Sequence, residues 1–504
     1  MAAIAQPLPA AQPARTIPAG ELPAWEVAEL PAPPRFSPRA ALAAIGPGAI
    51  LLGISIGSGE WLIGPAVTAK YGGALLWVAT ASIILQVVMN MEFIRYTMYT
   101  GEPVYSGFMR TKPGPTFWGW VYSILVFFQV GWPGWAAAAA TALAAAFLGD
   151  LPRPADAGFV NTLGAVTFLI CIAIVAIGGK VERTMEWAQW FFIVWIVLFL
   201  LVIGLVFVPF GTWGQAAQGF VSFGSLPEGA DWFLLAGFAA YAGAGGVINA
   251  AISNWTRDKG IGMGAVVGFI PSIVGGRKIN VSHTGKVFTP TRTSLRNWHE
   301  WWKYVALDQY GIWTIGAFVG MFLPALLTLQ FIPAGTDIAG QAVAAFQAKY
   351  LAERAGAAMW FLTLLCGFWI LFSTQLGIVD GFSRMLTDMI WTGSARVRAW
   401  RGGDIRYLYY GVVLALSLFG ILIFALNIRQ PLLLIQIGAF AAGVNFVVLG
   451  LHVLVVNRKF LPPEVRPARW REIVVLLGVL FFAFFTVVTI LSHPQLPFKM
   501  KVTL

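Results

Sequence analysis

The chain has 504 residues, of which 58% are hydrophobic and only 11% are charged, and its formal net charge is +11. This composition excludes an ordinary soluble domain, because a polar surface would dilute the apolar core of such a domain. Apolar segments of about 20 residues recur along the chain, which excludes a transmembrane barrel built from strands of about ten alternating residues. We therefore expect an all-α integral membrane protein.

The first 34 residues are rich in proline and lack the apolar segment of a signal peptide, so we expect a disordered cytoplasmic tail over residues 1–34. The remainder, residues 35–504, is expected to form the transmembrane domain. Eleven apolar segments in it predict transmembrane helices. These spans are expected near residues 41–70, 74–98, 117–148, 158–178, 184–209, 231–254, 311–332, 357–383, 407–427, 431–456 and 472–492.

Small residues replace good helix formers at the centres of spans one and six. The cluster in span one is Gly57, Ser58, Gly59 and Glu60. The cluster in span six is Gly243, Ala244, Gly245 and Gly246. Glycines alone are consistent with close helix packing, but a carboxylate at mid-depth is costly and usually faces a cavity, a partner or a substrate.

Two interrupted spans that lie five helices apart are typical of transporters built from inverted five-helix repeats, with the substrate at the breaks. We therefore predict about eleven transmembrane helices in a 5+5 inverted repeat with broken helices one and six. The first repeat is expected over residues 41–214 and the second over residues 215–456. Residues 457–504 would add an inner loop, an extra helix and a C-terminal tail.

The distribution of lysine and arginine among the predicted loops indicates the orientation of the chain. With the N-terminus inside, 26 of the 33 basic residues fall on the inner side. This asymmetry satisfies the positive-inside rule and predicts a cytoplasmic N-terminus and an outer C-terminus in a bacterial inner membrane. Because the basic residues are spread over all the inner loops, no nucleic-acid partner is expected.

Four segments carry a family resemblance. They are Gly46-Pro47-Gly48, YGGALLWV over 71–78, TGEPVYSGFMR over 100–110 and GGKVERTMEWAQWFFIVWIVLFLLVI over 178–203. Together with the order of the spans, they resemble the Nramp family of proton-coupled divalent-metal transporters, which have the LeuT-type fold of the APC superfamily. The resemblance implies a divalent metal ion as substrate, proton symport and alternating access.

The chain departs from the family pattern at the metal site. The family's Asp-Pro-Gly-Asn in span one corresponds to residues 57–60, so the metal-binding aspartate is absent and Glu60 replaces the asparagine. The family's Met-Pro-His in span six corresponds to residues 244–246, so the thioether is also absent. The chain is therefore interpreted as a divergent member.

Two hypotheses for the substrate follow from these residues. In the first, Glu60 and backbone carbonyls at the breaks bind a hard divalent cation such as Mg²⁺ or Mn²⁺, without the soft ligand that would favour manganese. In the second, Gly-Ser-Gly over 57–59 resembles the segment with which amino-acid transporters of the same fold hold a substrate carboxylate. The residues expected to bind substrate are Gly57, Ser58, Gly59, Glu60, Tyr241, Gly243, Ala244, Gly245 and Gln436.

Other polar residues within the spans have two interpretations each. Asp380 is either a relay or the partner of Arg384 one turn later. Glu92 and Arg95, three residues apart, form either an inner gate or a structural pair. Asn445, like Gln436, either faces the substrate or ties helices together.

The remaining residue types indicate what the chain lacks. The two cysteines, Cys171 and Cys366, lie in apolar segments without a second ligand nearby, so neither a disulfide nor a zinc site is expected. No ATP-binding loop is present. We expect neither an enzyme nor a resident cofactor, and the expected partners are membrane lipid and the transported substrate. The loop over residues 255–310 is expected to lie at the inner membrane interface.

Overall fold

The computed structural model describes residues 16–57, 59–227, 229–338, 343–426 and 431–492. Within these ranges, ten helical segments are long and apolar enough to cross a membrane. A shorter apolar helix, Trp232–Tyr241, supplies the first half of span six. The predicted all-α membrane fold, with breaks in spans one and six, is confirmed.

The first half of the chain supplies spans one to five. Its helices are α1 (Pro38–Ala44), α2 (Pro47–Ser55), α3 (Gly64–Tyr71), α4 (Trp77–Thr100), α5 (Val104–Met109), α6 (Pro115–Val130), α7 (Gly134–Leu148), α8 (Ala157–Ala176), α9 (Val181–Phe207) and α10 (Phe210–Val221). Span one comprises α2 and α3, span two is α4, and span three comprises α6 and α7. Spans four and five are α8 and α9.

The second half supplies spans six to eleven. Its helices are α11 (Trp232–Tyr241), α12 (Val247–Lys259), α13 (Arg292–Ala306), α14 (Ile315–Phe331), α15 (Val343–Ala355), α16 (Ala358–Gly393), α17 (Ala395–Ala399), α18 (Ile405–Ala425), α19 (Pro431–Phe460) and α20 (Arg469–Ser492). Span six comprises α11 and α12, and spans seven to eleven are α14, α16, α18, α19 and α20.

Span one lies at the centre of the bundle. Its most apolar stretch is 100% buried, whereas the corresponding stretches of spans four and five are 28% and 33% buried. The exposed apolar side chains of spans four and five therefore form part of the surface that a membrane would cover. A carboxylate on span one is thus enclosed by protein rather than by lipid.

Span three is also interrupted, which the sequence analysis did not predict. Helix α6 ends at Val130 and α7 begins at Gly134, with Gly131, Trp132 and Pro133 between them. Pro133 has no backbone N–H to donate to the preceding turn, which explains why the helix stops there. The break places Gln129 at the end of α6, next to span six.

Residues 16–34 are ordered, which corrects the prediction of a disordered tail over residues 1–34. They begin with a hairpin of β1 (Thr16–Ala19) and β2 (Leu22–Val27). Strand β2 also pairs in parallel with β3 (Lys286–Val287) in the loop after span six. Residues 1–15 lie outside the described ranges.

The chain after this hairpin lies along α13, at the end of the bundle that we predict to be the inner one. The Trp301 indole donates to the Pro31 carbonyl oxygen at 2.9 Å, and the Tyr304 hydroxyl donates to the Pro34 carbonyl oxygen at 3.0 Å. The prediction of disorder from the proline-rich composition was wrong here because α13 offers hydrogen bonds and apolar contacts that a proline-rich segment cannot provide for itself. Part of the aromatic face of α13 therefore packs on protein rather than on lipid.

Candidate functional site

Span one is interrupted between α2 and α3. A π-helical turn over Gly59–Ile63 leads into α3. A Cβ atom on Gly57 would lie 2.2 Å from Thr374 Oγ1 of span eight, and one on Gly59 would lie 1.8 Å from the Tyr241 carbonyl oxygen of span six. These positions require glycine because the backbone of the break touches both neighbouring spans.

Span six is interrupted between Tyr241 and Val247, and three glycines in this break have positive φ. The φ angles are +116° at Gly243, +81° at Gly245 and +47° at Gly246. Residues with a Cβ atom rarely adopt such angles, so the backbone course of the break depends on glycine. Backbone conformation therefore explains this cluster more directly than close helix packing does.

The Glu60 carboxylate joins the two breaks. Its Oε2 accepts a hydrogen bond from the Gly57 N–H at 3.2 Å, and its Oε1 accepts one from the Gly243 N–H at 3.0 Å. The side chain is completely buried. Among the described residues, no basic group lies within salt-bridge distance of it. Glu60 is thus a buried acid held by backbone amides rather than by a counter-ion.

Gln86 of span two holds the backbone of the span-six break. Its Nε2 donates to the Ala242 carbonyl oxygen at 2.8 Å, and its Oε1 accepts from the Ala244 N–H at 3.0 Å. The same Oε1 accepts from Asn249 Nδ2 at 3.1 Å. One amide side chain therefore satisfies a donor and an acceptor that the helix break leaves free.

Gln129 of span three holds the far end of the same break. Its Nε2 donates to the Gly245 carbonyl oxygen at 2.8 Å, and its Oε1 accepts from the Val247 N–H at 3.1 Å. Asn445 of span ten donates to Gln129 Oε1 at 2.7 Å. Asn445 therefore hydrogen-bonds with Gln129 rather than with the break itself. This contact joins span ten to span three, which is the second of the two interpretations given for Asn445 above.

A small cavity lies where the two breaks meet. It is lined by Gly59, Tyr241, Gly243, Ala244, Gln129 and Thr374, among others. Its volume of about 10 Å³ leaves room for about one water molecule. The Tyr241 hydroxyl is buried and has no hydrogen-bond partner among the described residues. Four of the nine predicted substrate-binding residues therefore line this cavity, namely Gly59, Tyr241, Gly243 and Ala244.

Three further predicted residues, Gly57, Glu60 and Gly245, belong to the two breaks but are not among the residues that line the cavity. Gln436 is half-buried on span ten and is not among the residues that line the cavity. Ser58 lies outside the described ranges. Within those ranges, no group of three or more histidine, cysteine, aspartate or glutamate side chains could hold a metal ion. A cation at the breaks would therefore rely on one carboxylate and on neutral oxygen atoms.

Asp380 lies away from the cavity, in a buried ionic network between spans six, eight and nine. Arg384 Nε donates to its carboxylate at 2.8 Å, Trp255 Nε1 donates at 2.8 Å and the Tyr409 hydroxyl donates at 2.6 Å. Arg384 also pairs with Asp258 of span six. The ion pair with Arg384 is present, and a relay function of Asp380 stays a prediction.

Glu92 and Arg95 form a salt bridge at the predicted inner end of span two, with Arg95 Nε 2.8 Å from Glu92 Oε2. Asn457 Nδ2 of span ten donates to the Glu92 carbonyl oxygen at 3.0 Å. The Arg95 guanidinium lies 4.5 Å from the ring centroid of Trp302 on α13. The pair thus joins span two to span ten and α13, and a gating function stays a prediction.

Solved structures with the same architecture exist for a manganese transporter of Eremococcus coleocola. Its complex with an aromatic bis-isothiourea compound matches at 15% sequence identity and a TM-score of 0.59, over 91% of this chain and 88% of that chain. The chain has the fold of this manganese transporter. A histidine-to-alanine variant matches at 14% identity and a TM-score of 0.61, over 90% of this chain and 87% of that chain.

A glutamate-to-glutamine variant of the same transporter also matches at 14% identity and a TM-score of 0.61, over 92% of this chain and 89% of that chain. No family model matches the chain, and no curated protein matches it either. The resemblance to metal transporters that the sequence motifs indicated is thus confirmed at the level of the fold, over about nine-tenths of the chain.

Gln86 and Thr374 at the site were missed by the sequence analysis. Gln86 lies among apolar residues of span two. An amide side chain within a span needs a partner inside the bundle, so its position could have been recognised from the sequence. Thr374 carried no such signal, because a threonine in a span ordinarily bonds its own helix. Its hydroxyl does so at 3.2 Å from the Ile370 carbonyl oxygen, and it shares its proton with the Ile54 carbonyl oxygen of span one at 3.1 Å.

Proposed function

We propose that this chain is a secondary transporter that moves a small hard cation, such as Mg²⁺ or Mn²⁺, through the meeting point of the two breaks. The observation that carries the proposal is the Glu60 carboxylate, which is buried, joins both breaks and has no basic partner among the described residues. The fold neighbours are named as manganese transporters rather than as enzymes, which supports the same conclusion.

The chemistry of the site suits a hard cation. Each Glu60 oxygen accepts one backbone hydrogen bond, and a carboxylate oxygen has further lone pairs available for a cation. Hard divalent cations prefer oxygen ligands from carboxylates, carbonyls, hydroxyls and water. None of the cavity-lining residues is a methionine, cysteine or histidine. We therefore infer little preference for manganese over magnesium.

Glu60 also offers a way to couple binding to movement. Because its two oxygens hold the breaks of spans one and six together, a cation that draws the carboxylate toward itself would weaken those two backbone hydrogen bonds. The two broken spans would then be free to move relative to each other, as alternating access at helix breaks requires. Proton coupling, which the family resemblance implies, stays a prediction.

The alternative of an amino acid or amine as substrate finds less support. The cavity of about 10 Å³ accommodates about one water molecule in this conformation. We therefore propose the cation as the substrate.

Uptake into proteoliposomes tests the proposal. Vesicles containing the purified protein are offered Mn²⁺, Mg²⁺ and Ca²⁺ in one series and amino acids and amines in another, with protein-free vesicles as the control. We expect uptake of divalent cations and inhibition of Mn²⁺ uptake by excess Mg²⁺. Uptake of an amino acid without any divalent cation would contradict the proposal. Mn²⁺ uptake that survives a large excess of Mg²⁺ would contradict the proposed ligand set.

A further inference from the structure

A second, larger cavity lies on the side of the bundle, between spans three, eight and nine. This groove encloses about 430 Å³, within the range of roughly 300–1,000 Å³ that is typical of small-molecule sites. Its lining includes Phe127, Phe382, Leu386, Leu416 and Phe419. Because these residues belong to membrane spans, the groove offers an apolar channel to a hydrocarbon chain.

An aromatic pair and an arginine lie at one end of the groove. Trp400 and Tyr407 are exposed and belong to the groove lining. The Arg401 guanidinium lies 5.4 Å from the Trp400 ring centroid and 5.1 Å from the Tyr407 ring centroid. The charge therefore lies at the mouth of an apolar groove, between two aromatic rings of the kind that occur at membrane interfaces.

The backbone of Arg401 is unusual. Its φ is +52°, and it is the only residue other than glycine with positive φ in the part of the chain that the structure describes. A long side chain in this conformation is uncommon, and such outliers often mark functional sites. Glycine would fit the backbone better, so an arginine at this position carries a conformational cost.

Positive charge is in excess over negative charge at this mouth. Lys278 Nζ donates to the Gly402 carbonyl oxygen at 2.6 Å, which brings a second exposed cation beside Arg401. The nearby acid, Asp404, is occupied by Arg406. Over the described ranges, neither Arg401 nor Lys278 has a carboxylate within 4.0 Å.

We propose that this groove binds an anionic phospholipid. One acyl chain occupies the apolar groove, and the phosphate is bound by Arg401 and Lys278 at its mouth. Basic pockets between transmembrane helices bind anionic head groups in this way, and the predicted orientation places the mouth at the anionic inner leaflet. The combination of charge and groove selects a lipid over a soluble anion, since a soluble anion has no use for the apolar channel.

Retention of lipid by the purified protein, measured by native mass spectrometry, tests the proposal. The probes are phosphatidylglycerol and phosphatidylcholine with identical chains. The first variant is Arg401→Gly, which removes the guanidinium and relieves the positive φ, so folding is not endangered. We expect it to retain phosphatidylglycerol about fivefold less, the effect of losing one basic contact. The matched control is Arg153→Ala, which removes an arginine that is 76% exposed elsewhere.

A second variant tests the groove without changing any charge. Ala415 is exposed and belongs to the groove lining, so Ala415→Phe fills the channel from the membrane side. We expect it to lower phosphatidylglycerol retention as much as Arg401→Gly does, with an unchanged melting temperature in detergent. Equal retention of both lipids by the wild type, normal retention by Arg401→Gly, or normal retention by Ala415→Phe would each overturn the proposal.

Discussion

Gly59 has no room for a side chain. A Cβ atom there would fall 1.8 Å from the Tyr241 carbonyl oxygen, so the two breaks could not meet in their present arrangement. We expect Gly59→Ala to lower the melting temperature of the purified protein and to abolish uptake. The matched control is Gly158→Ala in α8, where nothing lies within 4 Å of the added atom. Its stability should be unchanged or slightly higher, because alanine favours helix. Equal melting temperatures for the two variants would contradict the close approach.

Single residues were predictable where their chemistry is unusual for a membrane span. Glu60 could be singled out because a lone acid in an apolar segment requires a reason. Its partners could not be predicted, because they are the backbone N–H groups of Gly57 and Gly243, which have no side-chain signature. The glycines of span six were recognised as a break, but the positive φ at three of them became evident only in the structure.

At the scale of elements, the span-six break depends on Gln86. In Gln86→Leu, the Ala242 carbonyl oxygen and the Ala244 N–H lose their partners. Each buried polar group left without a partner costs about 1–3 kcal/mol. We expect a lower melting temperature and faster amide hydrogen exchange over residues 242–247. The control is Gln436→Leu, the same substitution at a half-buried glutamine outside the cavity. If both variants exchange like the wild type, Gln86 does not hold the break.

The N-terminal hairpin depends on a buried ion pair. Glu102 pairs with Arg110 and accepts hydrogen bonds from the Trp25 indole at 3.1 Å and from the Gly285 N–H at 2.7 Å. Glu102→Gln leaves the Arg110 charge buried and unpaired, a cost of about 3–5 kcal/mol. We expect residues 16–27 to lose protection in hydrogen exchange. The partly exposed pair of Lys286 and Glu26 is the control, because Lys286→Ala should cost at most about 1 kcal/mol.

The same ion pair has a defined pH dependence. Burial is the largest single influence and would raise the pKa of Glu102, but the Arg110 guanidinium and the hydrogen bonds from Tyr96 and the Gly285 N–H together outweigh it, and the pKa is lowered. A carboxyl group with a lowered pKa stabilises the folded state above its unfolded pKa of about 4.3, and this contribution is lost as the pH falls through the folded pKa. Protection of residues 16–27 should therefore be constant from about pH 8 to 5. A loss of protection within that window would contradict the assignment.

The N-terminal elements also show why local composition can mislead. Residues 16–34 are rich in proline, and composition indicated disorder. The structure instead buries Trp25, which is 2% exposed, and pairs β2 with β3. The partner strand lies more than 250 residues away in the sequence, so no local pattern could reveal it. The interruption of span three was not predicted for a related reason, because Trp132 and Pro133 lie within an otherwise continuous apolar segment.

At the scale of the whole molecule, the fold was predictable because a membrane constrains it strongly. Apolar segment length, the distribution of basic residues and the two glycine-rich breaks together indicated the architecture, which the neighbouring structures share. The distribution of basic residues also predicts orientation, which cysteine labelling can test. Both native cysteines are buried, so the background should be low.

Two exposed arginines at opposite predicted sides serve for this test. We expect Arg153→Cys to react with an impermeant maleimide in intact cells, because its loop is predicted to face outside. Arg396→Cys is expected to react only after the membrane is opened, because its loop is predicted to face inside. The reverse labelling pattern would invert the proposed topology.

The central claim is that the Glu60 carboxylate binds the transported cation, and equilibrium binding of Mn²⁺ to Glu60→Gln tests it most directly. Glutamine keeps the size of the side chain and removes its charge, while Glu60→Asp keeps the charge on a shorter side chain. The control is Glu182→Gln, which neutralises another buried acid on span five. We predict that Glu60→Gln binds at least about tenfold more weakly, equivalent to about 1.4 kcal/mol, that Glu60→Asp recovers part of the affinity and that Glu182→Gln binds like the wild type. A folded Glu60→Gln variant that binds Mn²⁺ as tightly as the wild type would contradict the claim.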